Sequence, residues 1–148
     1  MDRPITTLFM LMSVDGKIST GAADDLDVDR DFPQIEGVSE GLHQYYEIEQ
    51  TTDLWTLNSG RVLAKIGVNT KETPNRTPVS FAVIDNQHLN ERGIRYLCAL
   101  SKKLVLITSN AEHPAFHIEE GNLHIIHQKE LSLKNALIEL KSTYGCER

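Results

Sequence analysis

The sequence predicts an α/β domain built on a largely parallel central sheet. Short apolar runs such as 80-SFAVI-84 and 104-LVLIT-108 recur along the chain. Segments with apolar residues at helical spacing separate them, and that alternation of β and α marks this class. The first run, Ile5–Ser13, is nearly all apolar, as a strand covered on both faces should be. At 148 residues, 40% hydrophobic and 24% charged, the chain has the size and composition of one globular domain with one core.

Taken in order, Ile5–Ser13 is the first expected strand and ends abruptly in Asp15-Gly16-Lys17. Residues 24–36 are polar and loop-like. Val38, Leu42, Tyr45, Tyr46 and Glu49 then repeat at helical spacing. Leu54–Leu57 is a short strand. Gly60 opens a helix through Ile66, and Gly67 closes it. Residues 68–78 are rich in Thr, Asn and Pro and read as a loop. Val79–Ile84 is a strand, followed by a helix marked by Leu89, Ile94, Leu97 and Cys98 and interrupted at Gly93. Leu104–Thr108 and Leu123–Ile126 are further strands. Ser132 caps a last helix whose Leu133, Leu137, Leu140 and Tyr144 share a face, and Gly145 sits where a glycine ends a helix.

Bulk properties narrow the function. A net charge of −6 argues against a nucleic-acid partner, which would require a basic face. No apolar run approaches the ~18 residues of a membrane span, and the acid and proline of MDRPITT do not fit a secretory leader. The two cysteines, Cys98 and Cys146, lack CxxC spacing; Cys98 reads as a buried thiol, and a reducing cytoplasm fits best.

In parallel sheets ligands bind where loops leave the carboxyl ends of strands. Three such turns carry suitable chemistry. Val14, Asp15, Gly16 and Lys17 follow the first strand; a functional loop held by a buried strand would look like this, although spacing alone favours a plain tight turn. The nine glycines form neither GxGxxG nor GxxxxGK[ST], so a bound nucleotide would need another device for its phosphates. Ser59, Gly60 and Arg61 at a helix start offer free N–H groups, a hydroxyl and a cationic fork, although a capped helix with an exposed arginine has the same residues. Thr108, Ser109 and Asn110 end another strand and could hold a ribose or its phosphate, or form a simple turn.

Metal readings fare less well. His113, His117, His124 and His127 fall within fifteen residues, but His124 and His127 are three apart on a strand and point to opposite faces. Pro114 limits His113–His117 to a short helical turn. The acidic run 25-DLDVDRD-31 puts Phe32 where a calcium loop needs Gly and Val38 where it needs Glu. No metal site is expected.

The motif RPxxTLxxxMSxDGKI, here RPITTLFMLMSVDGKI at residues 3–18, together with 59-SGRVLAK-65 and KLVLITSN ending at Asn110, resembles the reductase domain of the bifunctional riboflavin-biosynthesis deaminase/reductase and its stand-alone relatives. The resemblance implies a dihydrofolate reductase-like three-layer domain and a dimer that uses NADPH to reduce a ribosylamino-pyrimidine. It implies that Val14, Asp15 and Gly16 border the nicotinamide and substrate. Asp15 would orient or protonate the substrate, with Lys17 beside it. It places Ser59, Gly60 and Arg61 at the cofactor phosphates and Thr108, Ser109 and Asn110 at the adenosine ribose and its 2′-phosphate. Many members carry Leu-Ala-Asp-Asp-Pro after the phosphate turn; here 63-LAKIG-67 replaces those acids with Lys65, which suits a stand-alone reductase with another substrate. The family's later strand with a Gly-Gly loop has no counterpart before Arg148, so the chain is expected to be the amino-terminal portion of such a domain, with little turnover alone. A binding module that kept the fold without the chemistry is the alternative.

Overall fold

The computed structural model of the chain describes residues 1–8, 10, 14, 34–38, 41, 44, 47, 48, 51 and 54–148. The chain forms two compact units, one of Met1–Thr6 with Asp53–Arg148 and one of Thr7–Thr52. In the second unit Gly41, Gln44, Glu47, Ile48 and Thr51 are helical, in the region where a helix is expected.

The first unit is an α/β sandwich. Its elements are β1 (Trp55–Ser59), α1 (Gly60–Lys65), β2 (Ser80–Ile84), α2 (Glu91–Leu100), β3 (Leu104–Thr108), a 3-10 turn at Pro114–His117, β4 (Leu123–His127) and α3 (Leu133–Tyr144). The four strands form one all-parallel sheet in the order β1-β2-β3-β4. In register, Ser59 stands beside Ile84, Ile84 beside Ile107, and Thr108 beside His127. All four carboxyl ends therefore meet along one rim.

Each crossover steps to the next strand in the same direction. Right-handed connections then put α1 and α2 on one face, and the core agrees. Val83, Leu104 and Leu106 pack with Leu63, Ile94, Leu97, Cys98 and Ala115 on that side. The alternate residues Ala82, Val105, Ile107 and Ile126 pack with Ala136 and Leu140 of α3 on the other. All five residues of β3 are buried, because this strand is covered on both faces and both edges. Cys98 is buried as expected; burial, with Glu120 adding and Arg95 opposing, pushes its thiol up to about 11.

Several elements differ from expectation. Ile5–Leu8 and Met10, the described part of the first expected strand, are not in a strand, and Ile5 and Leu8 are exposed. The Ile5 N–H donates to Glu147 C=O, and no ladder partner flanks it among the described residues. An apolar run becomes a strand only where a neighbour supplies that ladder. β1 runs on to Ser59 and β4 to His127, because each finds a register partner that far. The buried face of α3 begins at Ala136, leaving Leu133 exposed. The Ser132 and Gly145 caps are as read: Ser132 Oγ accepts from Asn135 N–H, and Gly145 is left-handed at φ 71°. Among the described residues, no helix is long and apolar enough to cross a membrane.

Gly93 does not interrupt α2. The helix runs through it, capped by Asn90, whose side chain accepts from Gly93 N–H at 2.9 Å. Glycine stands there because a Cβ would fall on the Asn69 carboxamide oxygen. Asn69 is itself held, donating to His88 C=O at 2.8 Å and accepting from Asn90 N–H at 3.0 Å. Helix propensity alone favours alanine by about 1 kcal/mol. Gly93→Ala is nevertheless expected to destabilise the chain by about 1–3 kcal/mol through overpacking, read from the urea unfolding midpoint. A raised midpoint would show that Asn69 yields.

Candidate functional site

Two adjacent residues follow β2 on the rim, and each organises a turn beside it. Asn86 faces the β3 side. Its carboxamide oxygen accepts from Thr108 Oγ at 3.0 Å, Ser109 N–H at 2.8 Å and Ser109 Oγ at 3.2 Å. Its backbone C=O accepts from Asn110 Nδ2 at 2.7 Å. Thr108 Oγ also accepts from Asn110 N–H at 3.1 Å, and Asn110 Oδ1 from Glu112 N–H at 2.9 Å. The turn is therefore rigid. A carbonyl oxygen has two lone pairs for these three donors. The longest of the bonds, from the Ser109 hydroxyl, is the one a ligand can replace.

Asp85 faces the β1 side and is buried, with a fully enclosed carboxylate. Oδ2 accepts from Leu89 N–H at 2.9 Å, and His88 N–H is shared between both oxygens at 3.1 and 3.2 Å. The His88 ring meets Oδ1 through Nδ1 at 3.1 Å, and the His113 ring meets Oδ2 through Nε2 at 3.0 Å. The carboxylate also presses on the start of α1: a Cβ on Gly60 would fall on the Asp85 side chain. Gly60 is thus required by this close approach, whatever else its turn does.

The two histidines differ. His113 is wholly buried, and Ala115 N–H donates to its Nδ1 at 3.2 Å. Its Nε2 must then carry the hydrogen and donate to Asp85, so both nitrogens are consumed. His88 is about a third exposed and spends only Nδ1 on Asp85. Burial acts to raise the pKa of Asp85. The His113 bond, the Leu89 and His88 N–H groups and the His88 ring outweigh it, lowering the pKa from 3.8 to about 2.

The remaining expected site residues are placed as follows. Ser59 is exposed at the end of β1 and makes no side-chain bond to the helix it precedes; Gly60 is buried and Arg61 exposed, opening α1. Gly60 and the Thr108-Ser109-Asn110 turn lie on the same rim, on either side of the carboxyl end of β2. Val14 is a fully exposed turn residue of the other unit, and Asp15, Gly16 and Lys17 lie outside the described residues. Among the described residues, no three His, Cys, Asp or Glu side chains form a group that could hold a metal. His124 and His127 do point to opposite faces: His124 meets the Tyr144 ring of α3, and His127 the Phe116 ring of the 3-10 turn.

Sequence reading missed Asp85, Asn86 and His88, and weighed His113 only as a metal ligand, not as a partner of Asp85. A polar run, DNQH, directly after an apolar strand was the signal that could have found the first three. No protein-family model, no curated protein and no solved structure matches the chain.

The lowered pKa makes a stability prediction. A folded carboxyl titrating below its unfolded value stabilises above that value and loses its contribution as pH falls through the folded pKa. Asp85 therefore contributes about 2 kcal/mol above about pH 4, lost towards pH 2. Urea unfolding of wild type and Asp85→Asn should differ by at least that much at pH 7 and converge by pH 2. A difference independent of pH would show that packing, not charge, accounts for the loss.

Proposed function

We propose that the chain is the nucleotide-binding part of an NADPH-dependent reductase that delivers hydride to a ribosylamino-pyrimidine or a related small substrate. One observation carries the reading. The two turns that the family resemblance assigns to the cofactor, at Ser59-Gly60-Arg61 and Thr108-Ser109-Asn110, open on one rim of a parallel sheet, the edge where such sheets bind ligands.

The spacing supports it too. β2 alone separates β1 from β3, so the turns lie about 10 Å apart, two strand spacings. The adenosine half of a dinucleotide spans a comparable length between pyrophosphate and 2′-phosphate. The guanidinium of Arg61, exposed at the start of α1, suits the pyrophosphate. The replaceable Ser109 hydroxyl suits the 2′-phosphate. The protein's remaining task is to hold the nicotinamide carbon about 3–3.5 Å from the carbon it reduces and to keep water out.

Calorimetric titration with NADPH and NADH tests the reading. Ser109→Asp puts a negative charge where the 2′-phosphate is assigned. It should weaken NADPH binding about tenfold or more and leave NADH binding unchanged. Failure of wild type to bind NADPH, or equal weakening of both cofactors, would end the proposal.

A further inference from the structure

We infer that His88, in its protonated form, holds the cofactor's pyrophosphate through Nε2, with Asp85 as its positioning residue. The inference rests on the reductase reading and deepens it: it adds a second cation at the phosphate end of the adenosine half and makes cofactor binding depend on pH.

The chemistry of the ring follows from its tautomer. An ionised carboxylate only accepts hydrogen bonds, so the His88 nitrogen facing Asp85 Oδ1 at 3.1 Å must carry a hydrogen. That nitrogen is Nδ1. In the neutral ring Nε2 then holds a lone pair and repels the oxygens of an anion. In the cation it carries the second hydrogen and is a charged donor, of the kind that bonds phosphate oxygens strongly. It has no hydrogen-bond partner among the described residues, on a side chain 38% exposed.

Location selects the pyrophosphate. β2 lies between β1 and β3, so an adenosine half laid from Arg61 to Ser109 crosses the carboxyl end of β2, from which the loop of His88 leaves. The ring sits on the β1 side of that crossing. It meets Asp85 Oδ1, and a Cβ on Gly60 would fall on the same oxygen. Gly60 and Arg61 open α1, where the pyrophosphate is assigned. The 2′-phosphate is assigned to Ser109, which Asn86 holds on the other side.

The residue is also prepared for a ligand. Its N–H is shared between both oxygens of Asp85, and its C=O accepts from Asn69 Nδ2 at 2.8 Å. A ring held this way loses little freedom when a ligand arrives. His113 flanks the same carboxylate but spends both nitrogens on the protein and is wholly buried, so it has no atom to offer.

The charges explain why protonation matters. Asp85, with its pKa lowered to about 2, is ionised at neutral pH, and its charge alone repels a phosphate. A proton on His88 offsets that repulsion. Histidine changes charge between about pH 5 and pH 8. The other charged or titratable groups on the neighbouring elements are His113 on the second oxygen of Asp85, Arg61 in α1, Lys71 in the loop of Asn69, and Glu91 and Arg92 in the first turn of α2. Of these only His113 is of a type that changes charge near neutrality, and both its nitrogens are committed to the fold.

The test is calorimetric titration of the full chain with NADP⁺ and with NAD⁺, for wild type and H88N, at about pH 5.5 and about pH 8.5. Both cofactors carry the pyrophosphate. The asparagine amide takes the place of Nδ1–H on Asp85 and removes Nε2. H88N should weaken both cofactors about tenfold or more at the lower pH and match wild type at the higher. Titration of the 2′-phosphate is common to both proteins and cancels. Equal affinities at the lower pH overturn the assignment. A loss of the same size at both pH values, which a disturbed fold would give, also overturns it, as does a loss confined to NADP⁺. In each of these cases wild type still binds NADP⁺ and the reductase reading stands. Wild type that does not bind NADP⁺ overturns both.

Discussion

The carboxylate of Asp85 is buried at the carboxyl end of β2, and the geometry of the surrounding rim depends on it. An enclosed, unpartnered charge would be very costly. This one is surrounded by the N–H groups of His88 and Leu89 and by the rings of His88 and His113. Those bonds do more than stabilise the charge. They fold the loop back towards α2, fasten the segment before the 3-10 turn, and require a residue without a side chain where α1 begins. Replacing the carboxylate disturbs three connections at once, which is why its charge and the local backbone are inseparable.

β2 lies between β1 and β3, so residues leaving it reach the turns on both sides. Asp85 governs the β1 side and Asn86 the β3 side. Successive residues with opposite directions thereby organise both candidate cofactor turns. Rigidity on the β3 side comes from hydrogen bonds converging on one carboxamide; on the β1 side it comes from a close steric fit. A rim prepared in this way loses little conformational entropy when a ligand settles on it.

Burial in the sheet follows the same economy. β3 is covered on both faces and both edges, and its apolar residues alternate between a core shared with α1 and α2 and a core shared with α3. β1 pairs along one edge among the described residues, and its burial is correspondingly partial. The same type of apolar run thus has different fates. LVLIT is the enclosed strand, whereas Ile5–Leu8 finds no ladder among the described residues and remains exposed.

The sequence by itself determined the α/β class, the strands at Ser80–Ile84 and Leu104–Thr108, the Ser132 and Gly145 caps, and the opposed directions of His124 and His127. Each of these depends on a periodicity or a cap within a few residues, where the chemistry is local. Tertiary structure alone decided that Asp85 would meet His113, 28 residues away, that Asn69 would require Gly93, and that Gly60 would be a glycine for the sake of Asp85. Those pairings depend on which strands are neighbours and in what register. Burial of the two cores sets that register across the whole unit, and no short stretch of residues encodes it.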